Sequence, residues 1–294
     1  MARHATSQNT VGEEPEPGVL YLVPTPLGHL GDLSPRAAHI LGHVDKLAAE
    51  DTRVTRKLLA RLDVHPELVS CHEHNEEGRA SQICGWLAEG LRVGLVSDAG
   101  TPLVSDPGYR VVQAVLADGH RVCALPGPVA ATTALSVSGL PPDRFTFVGF
   151  LPKKPKSKAD ALLEVQALPW TMVFYSACHE LLRDLAAIEQ HLGDRRVCAS
   201  RDLTKRGERH WRGTASVVQA ELRTLERVSG EWTVVVEGAA PAPVQEGVDD
   251  AADALIGALL AAGLGARAVR DVVADHTGLG RKLVYDRVLE RNRD

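Results

Sequence analysis

The sequence predicts an α/β protein of two domains followed by a small domain built only of helices. Three observations support this prediction. Short apolar runs alternate with helical patterns from residue 19 to about 140, the alternation resumes after a proline-rich break, and the C-terminal segment is helical in pattern throughout. We therefore expect a disordered leader at 1–18, α/β domains at 19–140 and 141–240, and a helical domain at 248–294.

Apolar runs of strand length alternate with helical patterns in the first domain. The strand candidates are 19–25, 44–50, 68–71, 91–97 and 120–125, and the helical patterns lie at 34–44, 52–62, 75–90, 106–119 and 127–139. Strands separated by helices of this length pair in parallel through crossover connections. The dipeptides Ser34-Pro35 and Asp106-Pro107 each place a capping side chain before a proline, which predicts two helix starts.

The second domain follows a break at 139–160, which is rich in proline and lysine and predicts a linker ending in a mobile basic loop. Beyond it we expect strands at 170–176, 195–200, 209–213 and 231–238, and helices at about 157–167, 178–192 and 214–226. Fewer helices per strand favour a mixed sheet with antiparallel pairs. A second linker at 239–247 precedes three short helices separated by glycines, a pattern typical of helix-turn-helix arrangements.

Composition restricts the classes of partner. The formal net charge of −5 argues against nucleic-acid binding over the whole surface, so such a partner must be sought in local basic patches. The five cysteines are dispersed without a Cys-x-x-Cys pair, which predicts neither a disulfide framework nor a zinc site. No apolar stretch has the length of a signal peptide core or a membrane span. We expect a cytoplasmic protein without a metal or a membrane partner.

The stretch VSDAGTPLVSDPGYR (96–110) is a glycine-containing loop that carries two carboxylates directly after a predicted strand. Neither it nor the other strand-ending loops, 24–33 and 125–129, has the spacing of a phosphate-binding loop. Carboxylates in such loops repel a polyanion and suit ribose hydroxyls or a cation. Because all three loops follow parallel strands, they should meet in a cleft at one sheet edge. The alternative is that these residues only form turns.

Several segments taken together resemble the tetrapyrrole methylase superfamily. They are LYLVPTPLGHLGDLSPRA, AAEDTRVTRKLL, EHNE, LVSDAGTPLVSDPGYRVV, LPGPVAATTALSVSGLPPDRFTFVGFLPKK, LTKRGERHWRG and GEWTVVVEG. The segments follow the family's order from residue 19 onward. Within the superfamily, the chain is most similar to bacterial enzymes that methylate the ribose 2′-hydroxyl of the cytidine at position 1402 of 16S ribosomal RNA.

The resemblance implies a two-domain class III methyltransferase fold that holds S-adenosylmethionine in the cleft between its domains. It also implies a homodimer that acts on 16S rRNA in the assembled small ribosomal subunit. The residues it assigns to the cofactor are Pro24, Thr25, Pro26, Gly28, Asp98, Ala99, Gly100, Thr101, Val104, Asp106, Pro126, Gly127, Ala131, Thr132, Thr133, Phe174 and Tyr175. For Asp106 we expect chiefly the role of helix cap.

The chain departs from the family pattern at two places. His29 stands where the first loop usually has asparagine, and we expect the turn to survive because both residues tolerate unusual backbone angles. In FYSACHE (174–180), Ser176 and Glu180 replace the usual glutamate and arginine. The resemblance therefore assigns no role to these two side chains.

Transfer of a methyl group to a ribose oxygen requires a group that accepts the hydroxyl proton. Glu50 and Asp51 are the favoured catalytic candidates because they end a predicted strand at the cleft edge, although Asp51 could equally cap the next helix. His29, His72, His74 and Glu208 remain open as alternatives.

RNA binding requires basic patches, because contacts to phosphate supply most of the non-specific affinity. The predicted RNA-binding residues are Lys153, Lys154, Lys156, Arg201, Lys205, Arg206, Arg281 and Lys282, with Lys158, Arg209, Arg212, Arg287, Arg291 and Arg293 nearby in sequence. Each patch could equally be a solvated face. Trp211, between two arginines, is the best candidate for a base-stacking platform.

Two other functions stay open. A methyltransferase acting on a corrin or porphyrin precursor would share the cofactor loops but lack the helical tail and the lysine-rich loop, and this chain has both. A non-catalytic cofactor-binding regulator would show damaged cofactor loops, and the loops here are intact apart from His29.

Overall fold

The computed structural model describes residues 14–240, 248 and 250–291, and the chain divides into two compact units at Ala239. The first unit contains two five-stranded sheets and the second contains three helices. The sheets occupy 19–124 and 145–236. Residues 1–13 of the predicted leader, 241–247 of the second predicted linker and Arg293 lie outside the described residues.

The first sheet is parallel throughout and has the strand order β3-β2-β4-β1-β5. Its strands are β1 (Val19–Leu22), β2 (Lys46–Ala49), β3 (Glu67–Ser70), β4 (Val93–Val96) and β5 (Arg121–Ala124). The helices that follow them are α1 (Pro35–His43), α2 (Thr52–Leu62), α3 (Glu76–Ala88), α4 (Tyr109–Ala117) and α5 (Ala130–Ser138). The predicted alternation of strands and helices is confirmed.

Both faces of this sheet are covered, which explains the continuous apolar runs. One core, around Leu41 and Leu47, packs α1 and α2 against the sheet. A second core, around Ile83 and Val111, packs α3 and α4 against the opposite face. Helix α5 differs, because its buried residues pack on the second sheet and link the two layers.

The second sheet is mixed, as the sequence predicts, with the strand order β6-β7-β10-β8-β9 and one parallel pair, β6 with β7. Its strands are β6 (Phe145–Phe150), β7 (Thr171–Ala177), β8 (Arg196–Arg201), β9 (Arg209–Thr214) and β10 (Glu231–Val236). Three helices accompany the sheet: α6 (Pro155–Val165), α7 (Leu181–Leu192) and α8 (Ala215–Arg223).

The predicted linker at 139–160 is wrong, because β6 and the first half of α6 lie within it. The prolines flank the strand instead of interrupting it. Gly149, with φ of +78°, allows the bulge at which the pairing of β6 with β7 shifts register.

Lys158 is also misassigned to a basic patch, because it is 5% exposed and its ammonium pairs with Asp184.

The start of α4 differs from the prediction that Asp106 caps it. The helix begins at Tyr109, and the carboxylate of Glu76 accepts hydrogen bonds from the backbone N–H groups of Gly108 and Arg110 at 3.0 and 2.7 Å. Glu76 is 6% exposed and belongs to the start of α3. By contrast, Ser34 caps α1 as predicted, with Pro35 at the first helical position.

Trp211 is not available for base stacking. It is 6% exposed and packs in the core of the second sheet with Trp232, whose ring centroid lies 5.1 Å away. Because Trp211 lies on a strand, its side chain takes the buried face while the neighbouring side chains of His210 and Arg212 point to the other face.

The C-terminal unit consists of α9 (Asp250–Ala261), α10 (Ala266–Thr277) and α11 (Arg281–Arg291), which pack around an apolar core of their own. Asp253 on α9 pairs with Arg287 and Arg291 on α11 at 2.7 Å each. These two arginines therefore connect α9 to α11 instead of forming a free basic patch.

Within the described part of the chain, none of the helices has both the length and the apolar character needed to cross a membrane.

The cap supplied by Glu76 generates a stability prediction. We expect Glu76→Ala to lower the free energy of unfolding by about 1–3 kcal/mol, because two N–H groups at the start of α4 lose their acceptor. Urea unfolding measures this change. Glu77→Ala is the matched control, since the Glu77 side chain is 89% exposed and, among the described residues, its one ion pair is with Arg110 at 3.6 Å. Equal stability of the two variants would contradict the assignment.

Candidate functional site

A cavity of about 470 Å³ lies in the first unit, between the carboxyl edge of the first sheet and one end of the second. Its walls come from the loops after β1, β2 and β4, the start of α5, and the adjoining ends of β6, β7 and β10. The predicted site residues that line it are Glu50, Asp98, Ala99, Gly100, Thr101, Val104, Asp106 and Tyr175. Its volume falls in the range of small-molecule sites.

Three loops that end strands of the first sheet are joined at the cavity floor. Thr25 and Gly100 exchange two backbone hydrogen bonds of 2.9 and 3.0 Å, and the hydroxyl of Thr101 donates to the carbonyl of Pro128 at 2.9 Å. Gly100 has φ of +88°, a conformation that favours glycine. The DAGT sequence at 98–101 is therefore positioned by neighbours on both sides.

Other predicted cofactor residues do not line the cavity but pack against neighbouring parts of the fold. A Cβ atom at Gly127 would overlap the ring of Pro24, and one at Gly28 would overlap the side chain of Lys205. These glycines make room for protein side chains. The predicted residues that do not line the cavity are Pro24, Thr25, Pro26, Gly28, Pro126, Gly127, Ala131, Thr132, Thr133 and Phe174.

His29 preserves the turn of the first loop, for a different reason from the one predicted. Its backbone is extended, with φ of −90°, and its ring Nδ1 accepts a hydrogen bond from the N–H of Gly31 at 3.1 Å. Its own N–H donates to the hydroxyl of Thr204 at 3.1 Å. The His29 side chain thus acts as a helix cap. The hydrogen bond to Thr204 connects the first loop to the β8–β9 loop.

Three carboxylates share the cavity wall: Glu50, Asp98 and Asp106. Burial raises the pKa of Asp106 to about 7; a hydrogen bond from Ser97 opposes the shift, and the charges of Glu50 and Asp98 add to it. Burial likewise raises the pKa of Glu50 and of Asp98. The cavity therefore concentrates negative charge in partly dry surroundings, which favours a cationic guest.

The loop that carries Asp106 is strained. Leu103 and Ser105 have φ of +73° and +67°, a region that side chains other than glycine rarely adopt. This conformation brings Val104, Ser105 and Asp106 together in the cavity wall. Backbone strain of this kind is concentrated at functional sites.

Aromatic rings form the opposite wall. Tyr175 lies edge-on to Phe150, with ring centroids 5.5 Å apart, and its hydroxyl accepts a hydrogen bond from the N–H of Ala131 at 3.2 Å. Phe174 lies in the core beneath the sheet instead, because successive residues of a strand face opposite sides. Because neighbouring side chains alternate between the two faces of β7, the sequence alone could have shown that only one of Phe174 and Tyr175 faces the cavity.

Sequence reasoning missed Phe150, because the segment around it was interpreted as a linker. It also missed Ser176–Cys178 and Gly230–Thr233, which line the cavity from β7 and β10. Ser176 donates to Asp184 at 2.6 Å, and Asp184 accepts from Lys158 at 2.5 Å. The serine that replaces the family's glutamate therefore joins a buried polar network behind the wall.

The two catalytic candidates take different places. Glu50 lines the cavity, whereas Asp51 caps α2 and pairs with Arg53 at 2.6 Å. The hydrogen bonds from Arg53 hold the pKa of Asp51 well below its usual range, which makes it a poor proton acceptor. His72, His74, His29 and Glu208 do not line the cavity.

The predicted RNA-binding residues fall into two groups. Lys205 pairs with Glu231 at 2.9 Å, Arg201 with Asp202 at 3.6 Å, and Arg281 with Asp275 at 3.1 Å. In the part of the chain that the structure describes, the others have no ion-pair partner: Lys153, Lys154, Lys156, Arg206 and Lys282. The three lysines are exposed and follow Phe150 at the cavity wall.

Among the described residues, no group of three or more His, Cys, Asp or Glu side chains is arranged to hold a metal ion. The cysteines are all free thiols.

Comparison with known proteins agrees with this architecture. Residues 19–219 match the family model described as Tetrapyrrole (Corrin/Porphyrin) Methylases. A "Ribosomal RNA small subunit methyltransferase I" from Micromonospora olivasterospora is 45% identical over 276 residues, which cover 94% of this chain and 88% of that protein. The protein of the same name from Escherichia coli O157:H7 is 42% identical, with 99% of each chain covered.

The fold is also similar to that of solved structures. Uroporphyrin-III C-methyltransferase from Thermus thermophilus, complexed with S-adenosylhomocysteine, gives a TM-score of 0.52 at 19% identity. The match covers 74% of this chain and 96% of that chain.

The raised pKa of Asp106 generates a prediction about stability and pH. The folded chain holds a proton on Asp106 more tightly than the unfolded chain, whose pKa is near 3.8. The wild type should therefore lose stability as the pH rises from about 4 to about 7. Asp106→Asn keeps the neutral form, so we expect it to be more stable than the wild type above pH 7, by about 1–3 kcal/mol, and similar to it near pH 4.

Urea unfolding at a series of pH values tests this expectation. Asp143→Asn provides the control, because Asp143 is exposed and lies outside the cavity wall. A stability difference between Asp106→Asn and the wild type that does not change with pH would show that Asp106 is not buried as a neutral carboxyl.

Proposed function

Since this chain belongs to the tetrapyrrole methylase family, we propose that it transfers the methyl group of S-adenosylmethionine to ribosomal RNA of the small subunit. The names of relatives 42–45% identical over nearly the whole chain support this assignment. The observation that carries it is the cavity, where a fixed small-residue floor, three carboxylates and an aromatic wall meet at the carboxyl edge of the first sheet.

The residues of the cavity fit S-adenosylmethionine. Ala99 and Gly100 have little side chain to hinder the approach of a nucleoside to the floor, and Tyr175 and Phe150 offer ring surfaces to an adenine. Asp98 and Asp106 would face the cationic part of the cofactor. When bound, the cofactor supplies an electrophilic methyl group on a sulfonium cation.

Glu50 is the residue we assign to the ribose proton. It lines the cavity at the end of β2, and burial, reinforced by the charge of Asp98, raises its pKa. A carboxylate with a raised pKa accepts a proton more readily near neutral pH. The rigid floor then contributes by holding the reacting groups in line, which removes much of the entropic part of the barrier.

The acceptor that we propose is the 2′-hydroxyl of a cytidine in 16S rRNA, within the assembled small subunit. This choice follows the resemblance of the sequence motifs to the branch of the family with that activity. The exposed lysines after Phe150 support an RNA substrate, since they place positive charge close to the cavity. The homodimer and the domain boundaries implied by the sequence stay predictions.

One assay tests the proposed function. Purified protein is incubated with labelled S-adenosylmethionine and, separately, small subunits from a strain lacking the gene, naked 16S rRNA and a tetrapyrrole precursor. We expect label on the subunits, located by nuclease digestion and mass spectrometry at a ribose-methylated cytidine. Label on the tetrapyrrole alone would contradict the proposal, and label on a base would contradict the 2′-hydroxyl.

The role of Glu50 generates a second prediction. We expect Glu50→Gln to lower kcat by about 10²–10⁴-fold, the typical contribution of a general base, with little change in calorimetric affinity for the cofactor. Asp51→Asn is the matched control, because asparagine also caps a helix and Asp51 lies outside the cavity. An unchanged kcat in Glu50→Gln would assign the proton to another group.

A further inference from the structure

Helix α2 carries a stripe of positive charge along its exposed face. All charged residues within TRVTRKLLARL (52–62) are basic. Arg53, Arg56, Lys57 and Arg61 follow the spacing i, i+3, i+4 and i+8, which places them on one face of the helix. All four are exposed. We call them the α2 stripe.

The opposite face of α2 holds the helix in place. Leu59 is 3% exposed and lies in the core under the first sheet, with Leu58 and Leu62 packed against that core. The stripe is therefore presented to solvent by a rigid element, and its side chains do not contribute to the core.

Most of the stripe is electrostatically uncompensated. Arg53 pairs with Asp51, but no ion pair involves Arg56, Lys57 or Arg61 within residues 14–240, 248 and 250–291. The arginines of α11 differ, because Arg287 and Arg291 both pair with Asp253. In a chain with a net charge of −5, three unpaired cations on one helix face mark a local site for a polyanion.

The position of the stripe relates it to the cavity. Helix α2 begins at Thr52, two residues after Glu50, which lines the cavity, and the backbone N–H of its cap Asp51 donates to the carboxylate of Asp98 at 3.0 Å. The helix extends for about 16 Å from that point, at about 1.5 Å per residue. A strand of RNA along it would meet several cations and still reach Glu50.

We propose that the α2 stripe binds the phosphate backbone of the RNA beside the target nucleotide and so delivers its ribose to the cavity. This inference rests on the proposed function. Guanidinium groups match the geometry of phosphate oxygens, and Ala60, exposed between Lys57 and Arg61, leaves room for a close approach. Contacts of this kind position a nucleic acid without reading its sequence.

The test neutralises the stripe. We expect the triple variant Arg56→Gln, Lys57→Gln and Arg61→Gln to raise KM for unmodified small subunits at least about tenfold, while kcat and the calorimetric affinity for S-adenosylmethionine stay unchanged. The dependence of log Kd on log salt for the subunits should also weaken by about 2, since each lost phosphate contact removes about 0.7–0.9 from the slope.

Two controls accompany this variant. The charge-preserving triple Arg56→Lys, Lys57→Arg and Arg61→Lys should retain the wild-type salt slope and most of the affinity. The double variant Arg144→Gln and Arg223→Gln removes exposed cations from outside the cavity wall and should change neither KM nor the slope appreciably.

The outcomes separate the two proposals. If the wild type methylates subunits and the neutralised triple variant has the same KM and salt slope, the stripe is not an RNA-binding surface. A loss that extends to cofactor affinity, or that the double variant shares equally, also overturns the inference. If the wild type neither binds nor methylates subunits, the proposed function itself fails.

Discussion

The backbone pairing of Thr25 with Gly100 is the constraint on which the cavity depends. It joins the loop after β1 to the loop after β4, and the bond from Thr101 to Pro128 adds the loop after β5. Loops at a sheet edge are ordinarily the most mobile part of an α/β fold. Fixing them to one another allows the chain to hold strained residues at Leu103 and Ser105, and with them Asp106, in the cavity wall.

The same constraint explains why the carboxylates are tolerated. A buried negative charge is costly; the charge of Asp98 adds to that cost at Glu50, and the charges of Glu50 and Asp98 add to it at Asp106. A flexible loop would relieve the repulsion by moving its carboxylate into water. Because the floor is tied in place, the carboxyl groups stay together and their pKa values rise, and a cationic ligand would relieve the remaining repulsion on binding. Relief of the repulsion between the carboxylates would therefore add to the binding free energy of a cationic ligand.

Features set by local sequence were predictable, and features set by distant residues were not. The strands of the first sheet and the caps Ser34 and Asp51 follow from periodicity and neighbouring residues. The cap of α4 comes from Glu76, 32 residues before Gly108, so nothing near Asp106 signals that its side chain is free for the cavity. Strand β6 is hidden by flanking prolines and by a bulge that depends on its pairing with β7.

For the site, the glycine loops identified the region but not the role of each residue. Gly28 and Gly127 follow the family pattern, yet each makes room for a side chain from elsewhere in the fold, Lys205 and Pro24. Phe174 and Tyr175 could have been separated from sequence, since they alternate on one strand. The burial of Trp211 could not have been predicted from the neighbouring sequence, because it depends on packing against Trp232 of another strand.

The distribution of charge is compatible with the proposed binding of a cationic cofactor and a polyanionic substrate at one site. The cavity wall carries three carboxyl groups, whose negative charge disfavours entry of a phosphate backbone. The basic residues lie outside, on α2 and after Phe150, where phosphates can be neutralised without crossing the acidic wall. The uncharged parts of a nucleotide, its ribose hydroxyls and its base, meet no such penalty at the boundary between the two. The electrostatic pattern therefore supports the proposed arrangement, in which an uncharged group of the nucleotide reaches the cavity while the backbone stays outside it.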